Sequence, residues 1–122
     1  MVLTEELKNK LTEEAINQLS ILFTHGAVGD NNTLPTSNQT TLVNEVFRKA
    51  LEPIEINPTN ILASLFISTT DANSENLVEV GYFDDDTTGN MWLRDLFDET
   101  LKTSDINLYL DAEITVEVVE VE

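Results

Sequence analysis

Few residues in this chain of 122 could carry out chemistry, and they are nearly all of one kind. There is one histidine, His25, and no cysteine. A single histidine cannot build a His-Glu-x-x-His zinc site or complete a nucleophilic triad. His25 sits in the strand-like stretch FTHGAVG, where a structural hydrogen bond is the expected role. Without cysteine there is no disulfide framework, thiolate metal site or sulfur nucleophile. Carboxylates abound, and Glu13–Glu14 and Glu79–Asp84 are examples of close pairs. General acid–base work needs two carboxylates in different environments, one of them desolvated. Most acids here fall in alternating or loop positions, which describes a solvated face. With four glycines in all, no phosphate-cradling loop exists. The one metal-like string is Asp84–Asp95, DDDTTGNMWLRD. Asp84, Asp86, Thr88, Gly89 and Asp95 fall at positions one, three, five, six and twelve of an EF-hand-like loop. The last ligand there should be a bidentate Glu, and helices should flank the loop. GYF and MWLRDLF instead look like strands, so a β-hairpin turn with Gly89 at positive φ is expected. No cofactor is expected beyond structural cations at Asp84, Asp86 and Asp95.

The charge is the outlier. Asp and Glu number 23 against 6 Lys and Arg, a formal net of -17. Such a surface repels phosphate backbones and anionic headgroups, which argues against nucleic-acid or membrane-surface partners. It also repels itself in dilute buffer. At 1 M salt the Debye length is about 3 Å, so the composition fits a halophilic protein, ahead of an ordinary acidic protein or one that docks on a basic partner. No apolar run approaches the roughly 20 residues of a membrane span, and the N-terminus lacks a signal-peptide layout. Length and a 41% hydrophobic content predict one folded domain over residues 1–122.

The elements that must position these residues can be read from periodicity. LTEELKNKLTEEAINQL, residues 3–19, predicts an amphipathic helix with Thr4 as N-cap and Glu5 and Glu6 in its first turn. Its stripe of Leu3, Leu7, Leu11, Ala15, Ile16 and Leu19 is expected to pack on the core. A short strand is read at Ser20–Val28, then a loop over Gly29–Gln39. Thr40 or Thr41 can cap a second helix, LVNEVFRKAL, with Glu45 and Lys49 as a favourable i, i+4 pair. Pro53 and Pro58 bracket an extended connection. Strands follow at Asn60–Thr70, Leu77–Phe83, Met91–Phe97 and Ile106–Val119, the last with a clean period of two. The expected fold is α+β, with two N-terminal helices packed on an antiparallel sheet of about four to five strands.

Arg48 and Arg94 are the only arginines. An arginine kept among so many acids is expected to make a bidentate carboxylate contact. Glu79 and Asp84 are the intramolecular candidates, favoured over a neighbouring subunit. Gly81 inside LVEVGYF suggests a bulge or a close backbone approach. Phe83 and Trp92 flank the hairpin and default to the core; if exposed, they would mark an interface.

Five of these strings occur in order. THGAVG spans Thr24–Gly29, LVNEVFRK spans Leu42–Lys49, VEVGYFD spans Val78–Asp84, GNMWLR spans Gly89–Arg94, and KTSDINL spans Lys102–Leu108. Together they resemble the pattern of phage tail-collar fibre proteins and related short tail-fibre or baseplate-associated domains. That pattern has an ITHIAVGTG-like strand after an N-terminal helix, then T-x-L-x-N-E-V-x-R-K, REVGLFD, G-T-L-F-A-R and K-x-x-x-I-x-L. The resemblance covers about Phe23 to Ile114. It implies a virion structural protein, built into a tail fibre, baseplate or collar as subunit or adaptor. It further implies a homo-oligomer, a trimer or larger, that associates with other tail or capsid proteins and is assembled in the host cytoplasm. Joined to the acidity, it points to a tailed virus of a halophilic archaeon. Longer members continue into a shaft or receptor-binding tip, and this chain is expected to lack one. A capsid turret or decoration protein is the alternative within that class. A small acidic cation-binding module is the alternative outside it, and an enzyme is the least favoured class. The terminal strand, with Val118, Val119 and Val121, could also pair with another chain, although Glu117, Glu120 and Glu122 discourage it.

Overall fold

A computed structural model describes residues 1–121 and shows one helix and seven strands. These are α1 (Glu5–Leu22), β1 (His25–Gly29), β2 (Glu45–Ala50), β3 (Glu55–Ile56), β4 (Asn60–Ile67), β5 (Asn76–Phe83), β6 (Met91–Leu101) and β7 (Leu108–Thr115). All pairings are antiparallel. One sheet has the order β2-β1-β5-β6 and the other β3-β4-β7. The expected two-helix α+β fold on a single sheet is therefore wrong: the molecule is mostly β, in two sheets.

The error lies in LVNEVFRKAL. Ten residues with apolar side chains at both helical and alternating spacing fit either element. Helix propensity is a weak prior, and strand pairing overrides it. Here β1 has β5 on one side and an open hydrogen-bonding edge on the other, which Glu45–Ala50 fills. β2 carries a register shift, with Gly29 facing Glu45 and Val28 facing Phe47. The extra residue, Val46, turns Glu45 onto the same face as Arg48. Glu45 therefore binds Arg48 through two hydrogen bonds of 2.6 and 3.1 Å, rather than Lys49. Lys49 binds Asp71 at 2.7 Å. The pair expected from helical spacing does not form.

α1 runs three residues further than its stripe suggested, and Thr4 caps it through Leu7 N at 3.2 Å. Of the expected core stripe only Ile16 is buried; Leu19 packs partly, as does Leu22 beyond the stripe, while Leu7 and Leu11 remain exposed. Pro53 and Pro58 do bracket extended chain, the two-residue β3. On β4, Ile61, Ala63, Leu65 and Ile67 alternate inward and are fully buried. β7 alternates with Leu108, Leu110, Ala112 and Ile114 inward, as its period required. Pairing ends at Thr115, so Val118, Val119 and Val121 lie beyond the ladder. Among the described residues no helix is long and apolar enough to cross a membrane.

The main core lies between the sheets. It joins Val28, Val80 and Tyr82 of one to the inward side of β4 and Ala112 of the other, with Ile16 and Phe23 closing one side. Tyr82 ties the two sheets directly. Its hydroxyl donates to Leu110 O at 2.8 Å, and Phe23 meets its ring edge-on at 6.3 Å. β5 is buried along nearly its whole length, because both its faces are covered. Lys102 is fully buried, which its place in the KTSDINL string did not announce. Its ammonium donates to Asn73 Oδ1 and Thr103 O, both at 2.9 Å, and so pins the turn after β4.

Burial pushes the Tyr82 phenol above its ordinary value of about 10, and the charges of Asp111 and Asp95 push it further. The folded state thus favours the neutral phenol. That contribution is whole below pH ~10 and fades above it, as the unfolded chain ionises. Tyr82→Phe should lower stability by about 1 kcal/mol at neutral pH by removing the bond to Leu110. In urea melts the gap between wild type and variant should shrink as pH rises past ~10. A gap constant to the highest pH reached would contradict this reading.

Candidate functional site

One of the two arginines, Arg94, marks the centre of the molecule's other face. Glu79 is fully buried on β5, and Arg94, on β6, reaches it with Nε at 3.1 Å from Oε1. Arg94 opposes Gly81 across the ladder, and Glu79 lies two residues before Gly81 on the same face. The pair thus lies on the side of the sheet away from the main core. What covers it is the loop from Asp30 to Asn44. A structureless connection this long in a compact fold is uncommon and tends to be functional.

The ion pair is also the loop's anchor. Glu79 Oε2 accepts from Asn31 N at 3.0 Å and Asn44 N at 3.1 Å, and Oε1 accepts from Val43 N at 2.9 Å. Arg94 donates through Nη1 to Thr33 O at 2.7 Å and Gln39 Oε1 at 3.4 Å, and through Nη2 to Asn31 O at 3.2 Å. One anion takes backbone N–H groups from both ends of the loop; one cation takes carbonyls from its near arm. The loop's base is closed by Asn44 Nδ2 on Asp30 Oδ1 at 2.7 Å. A charge this deep is tolerable only when paired and fully hydrogen-bonded, which both partners are. Gly29 is required here, since a Cβ would strike Asn44 O and the Glu79 carboxylate. Gly81 permits a close approach too, but of the Leu42 side chain rather than another backbone. Leu42 with Ala27, Phe83 and Met91 forms a small second core under the loop.

The second arginine works beside it. The Arg48 guanidinium lies 3.7 Å from the centre of the Phe83 ring. It binds Glu45, Asp85 O at 3.0 Å and Thr88 O at 2.8 Å, and so fastens the β5–β6 hairpin turn to β2. Of the two carboxylates expected to hold the arginines, Glu79 takes Arg94, while the partner of Arg48 is Glu45. Phe83 is buried as expected. Trp92 is not core: it is 43% exposed on β6.

The structure does not assemble Asp84, Asp86 and Asp95 as the EF-hand-like spacing required. Asp84 accepts from Asn90 N at 2.8 Å and Asn90 Nδ2 at 3.2 Å, closing the turn on itself. Gly89 supplies the positive φ, +81°. Asp86 is exposed, and Asp95 lies on β6 with its carboxylate capping Leu96 N at 2.8 Å. Among the described residues no three His, Asp or Glu side chains are grouped to hold a metal. His25 opens β1, with Nδ1 2.8 Å from Thr24 Oγ1. The arrangement is a set of structural contacts around the loop and the hairpin turn. What it offers is a stiffened polar loop whose tip, around Leu34, stands in solvent.

Replacing Arg94 by leucine leaves Glu79 buried and uncompensated, and should cost about 3–5 kcal/mol. Glu79→Leu should cost a similar amount, and the two losses should be far from additive in the double variant. In each single variant the Asp30–Asn44 loop should become the first site of limited proteolysis. Additive losses with an uncut loop would show that the pair does not anchor it.

Residues 1–91 match the N-terminal domain family of the phage tail-collar fibre protein. The match includes α1 through β5 and the hairpin turn; Lys102–Leu108, part of the motif resemblance, lies outside it. No curated protein and no solved structure matches the chain. The match takes in the loop and Glu79, while Arg94 reaches it from just beyond. Matched over well more than half its length, the chain is a tail-fibre structural protein, a component of the virion that associates with other tail proteins, and it belongs to the phage tail-collar fibre protein family.

Proposed function

We propose that the chain is an assembly subunit or adaptor of a tail fibre, baseplate or collar appendage, that it folds as one domain, and that it acts as a homo-oligomer. The observation that carries the reading is the Asp30–Asn44 loop, which shares the family-matched region with Glu79 and is held by Glu79 and by Arg94 from just beyond it. A surface loop fixed by a buried ion pair keeps its shape without a partner. It therefore meets a neighbouring tail protein at low ordering cost. Charge favours the same class. With four of the six basic residues engaged inside the fold, the sheet faces present carboxylates to solvent. Copies carrying net -17 repel in dilute buffer and approach when salt screens them. A halophilic setting, such as a virus of a salt-loving archaeon, fits that balance.

Antibody raised against the chain and applied to purified virions of its virus should decorate the tail in electron micrographs. Decoration of the capsid would move the assignment to a turret or decoration protein. An unlabelled particle would sink the virion-assembly reading. By light scattering, the mass of the free protein should fall when molar salt is diluted to a few millimolar. A mass that stays unchanged would remove the role given to salt.

A further inference from the structure

α1 has two apolar sides, and the fold uses one. Ile16 is buried, and Leu19 and Leu22 pack against the core. On another flank, Leu7 is 43%, Leu11 46% and Ile21 66% exposed. These three stand in one series with Glu14 and Gln18: the steps from Leu7 to Leu11, Glu14, Gln18 and Ile21 alternate four and three. That is the spacing of a coiled-coil seam, where the facing element is another helix. The polar members sit mid-seam, the position that sets register in such pairings. Glu14, the seam's one acid, is already neutralised by Lys10 at 3.1 Å.

The distribution of positive charge selects the partner. Among the described residues Arg48, Lys49, Arg94 and Lys102 are tied to the sheets and their loops. Lys8 and Lys10, the remaining two, both lie on α1 and pair with its own Glu5 and Glu14. Two copies meeting through a sheet face would oppose carboxylate to carboxylate. Two copies meeting along the α1 flank would oppose leucine, isoleucine and a neutral Lys–Glu pair. On this flank apolar side chains lie beside the two lysines not tied to the sheets, so a strongly acidic protein meets itself there with less repulsion than across its sheets.

We infer that the Leu7–Leu11–Ile21 flank of α1 is the self-association surface, its occupant the same helix of a second copy. The inference rests on the homo-oligomer reading above and names its contact. The chain has no cysteine, so single cysteines report proximity cleanly. In molar salt, full-length Leu11→Cys should form a disulfide-linked dimer on mild oxidation, several-fold more than Thr87→Cys in the exposed hairpin turn. The Leu7→Asn, Leu11→Asn, Ile21→Asn triple variant should lose at least half the wild-type mass by light scattering, with an unchanged circular-dichroism spectrum. A triple variant that keeps the wild-type mass, or cross-linking equal at both positions, overturns the seam and leaves the tail assignment standing. A wild-type protein that stays monomeric at every salt concentration overturns self-association itself. The virion-labelling experiment then decides the tail reading separately.

Discussion

A buried carboxylate must find donors, and in this protein that need organises half the molecule. Glu79 sits on the central strand of the larger sheet, where burial on both faces leaves no water to solvate it. Its two oxygens take three backbone N–H groups and the guanidinium of Arg94. The donors come from residues far apart in sequence, so satisfying one anion fixes both ends of a long loop. The loop in return shields the pair from water, which strengthens the attraction between its charges. Neither could persist without the other, and the small apolar cluster around Leu42 fills the space between.

The economy of cations follows from the same constraint. A chain with few basic residues uses four of them as structural fasteners. Arg94 holds the loop, Arg48 holds the hairpin turn to β2, Lys49 holds the turn at Asp71, and Lys102 holds the strained turn at Asn73. That turn carries two non-glycine residues at positive φ, Ala72 and Ser74, which the Lys102 contacts help to keep in place. Most of the acids meanwhile face outward, where they repel like molecules. Assembly in such a protein is governed by where cations not tied to the sheets and uncovered apolar groups lie together, and on α1 Lys8 and Lys10 accompany the exposed Leu7, Leu11 and Ile21.

The register of β2 shows how little separates a helix reading from a strand reading. Glu45, Arg48 and Lys49 are near neighbours either way, but the bulge decides which pair can touch. In a helix Glu45 would reach Lys49; in the bulged strand it reaches Arg48, which is thereby aimed at the Phe83 ring and the hairpin turn. One extra residue in a ladder redirects two ion pairs.

Local pattern was enough for much of this. Thr4 as N-cap, the alternation of the β4 and β7 strands, the extended chain between Pro53 and Pro58, the hairpin turn at Gly89 and an intramolecular role for both arginines were all legible in the sequence. Each depends on a residue's own conformational preference or on charge scarcity, which the sequence states directly. The family pattern was legible for a similar reason, as short strings in a fixed order. The strand at Glu45–Ala50, the split into two sheets, the choice of Glu79 for Arg94 and the exposure of Leu7 and Leu11 were decided by tertiary structure alone. An ambiguous ten-residue pattern takes the conformation that fills an open hydrogen-bonding edge, and that edge belongs to β1. A carboxylate pairs with the arginine across its ladder, and register is a property of two strands. A helix buries only as much of its apolar surface as the sheets behind it can cover, and here they cover one side.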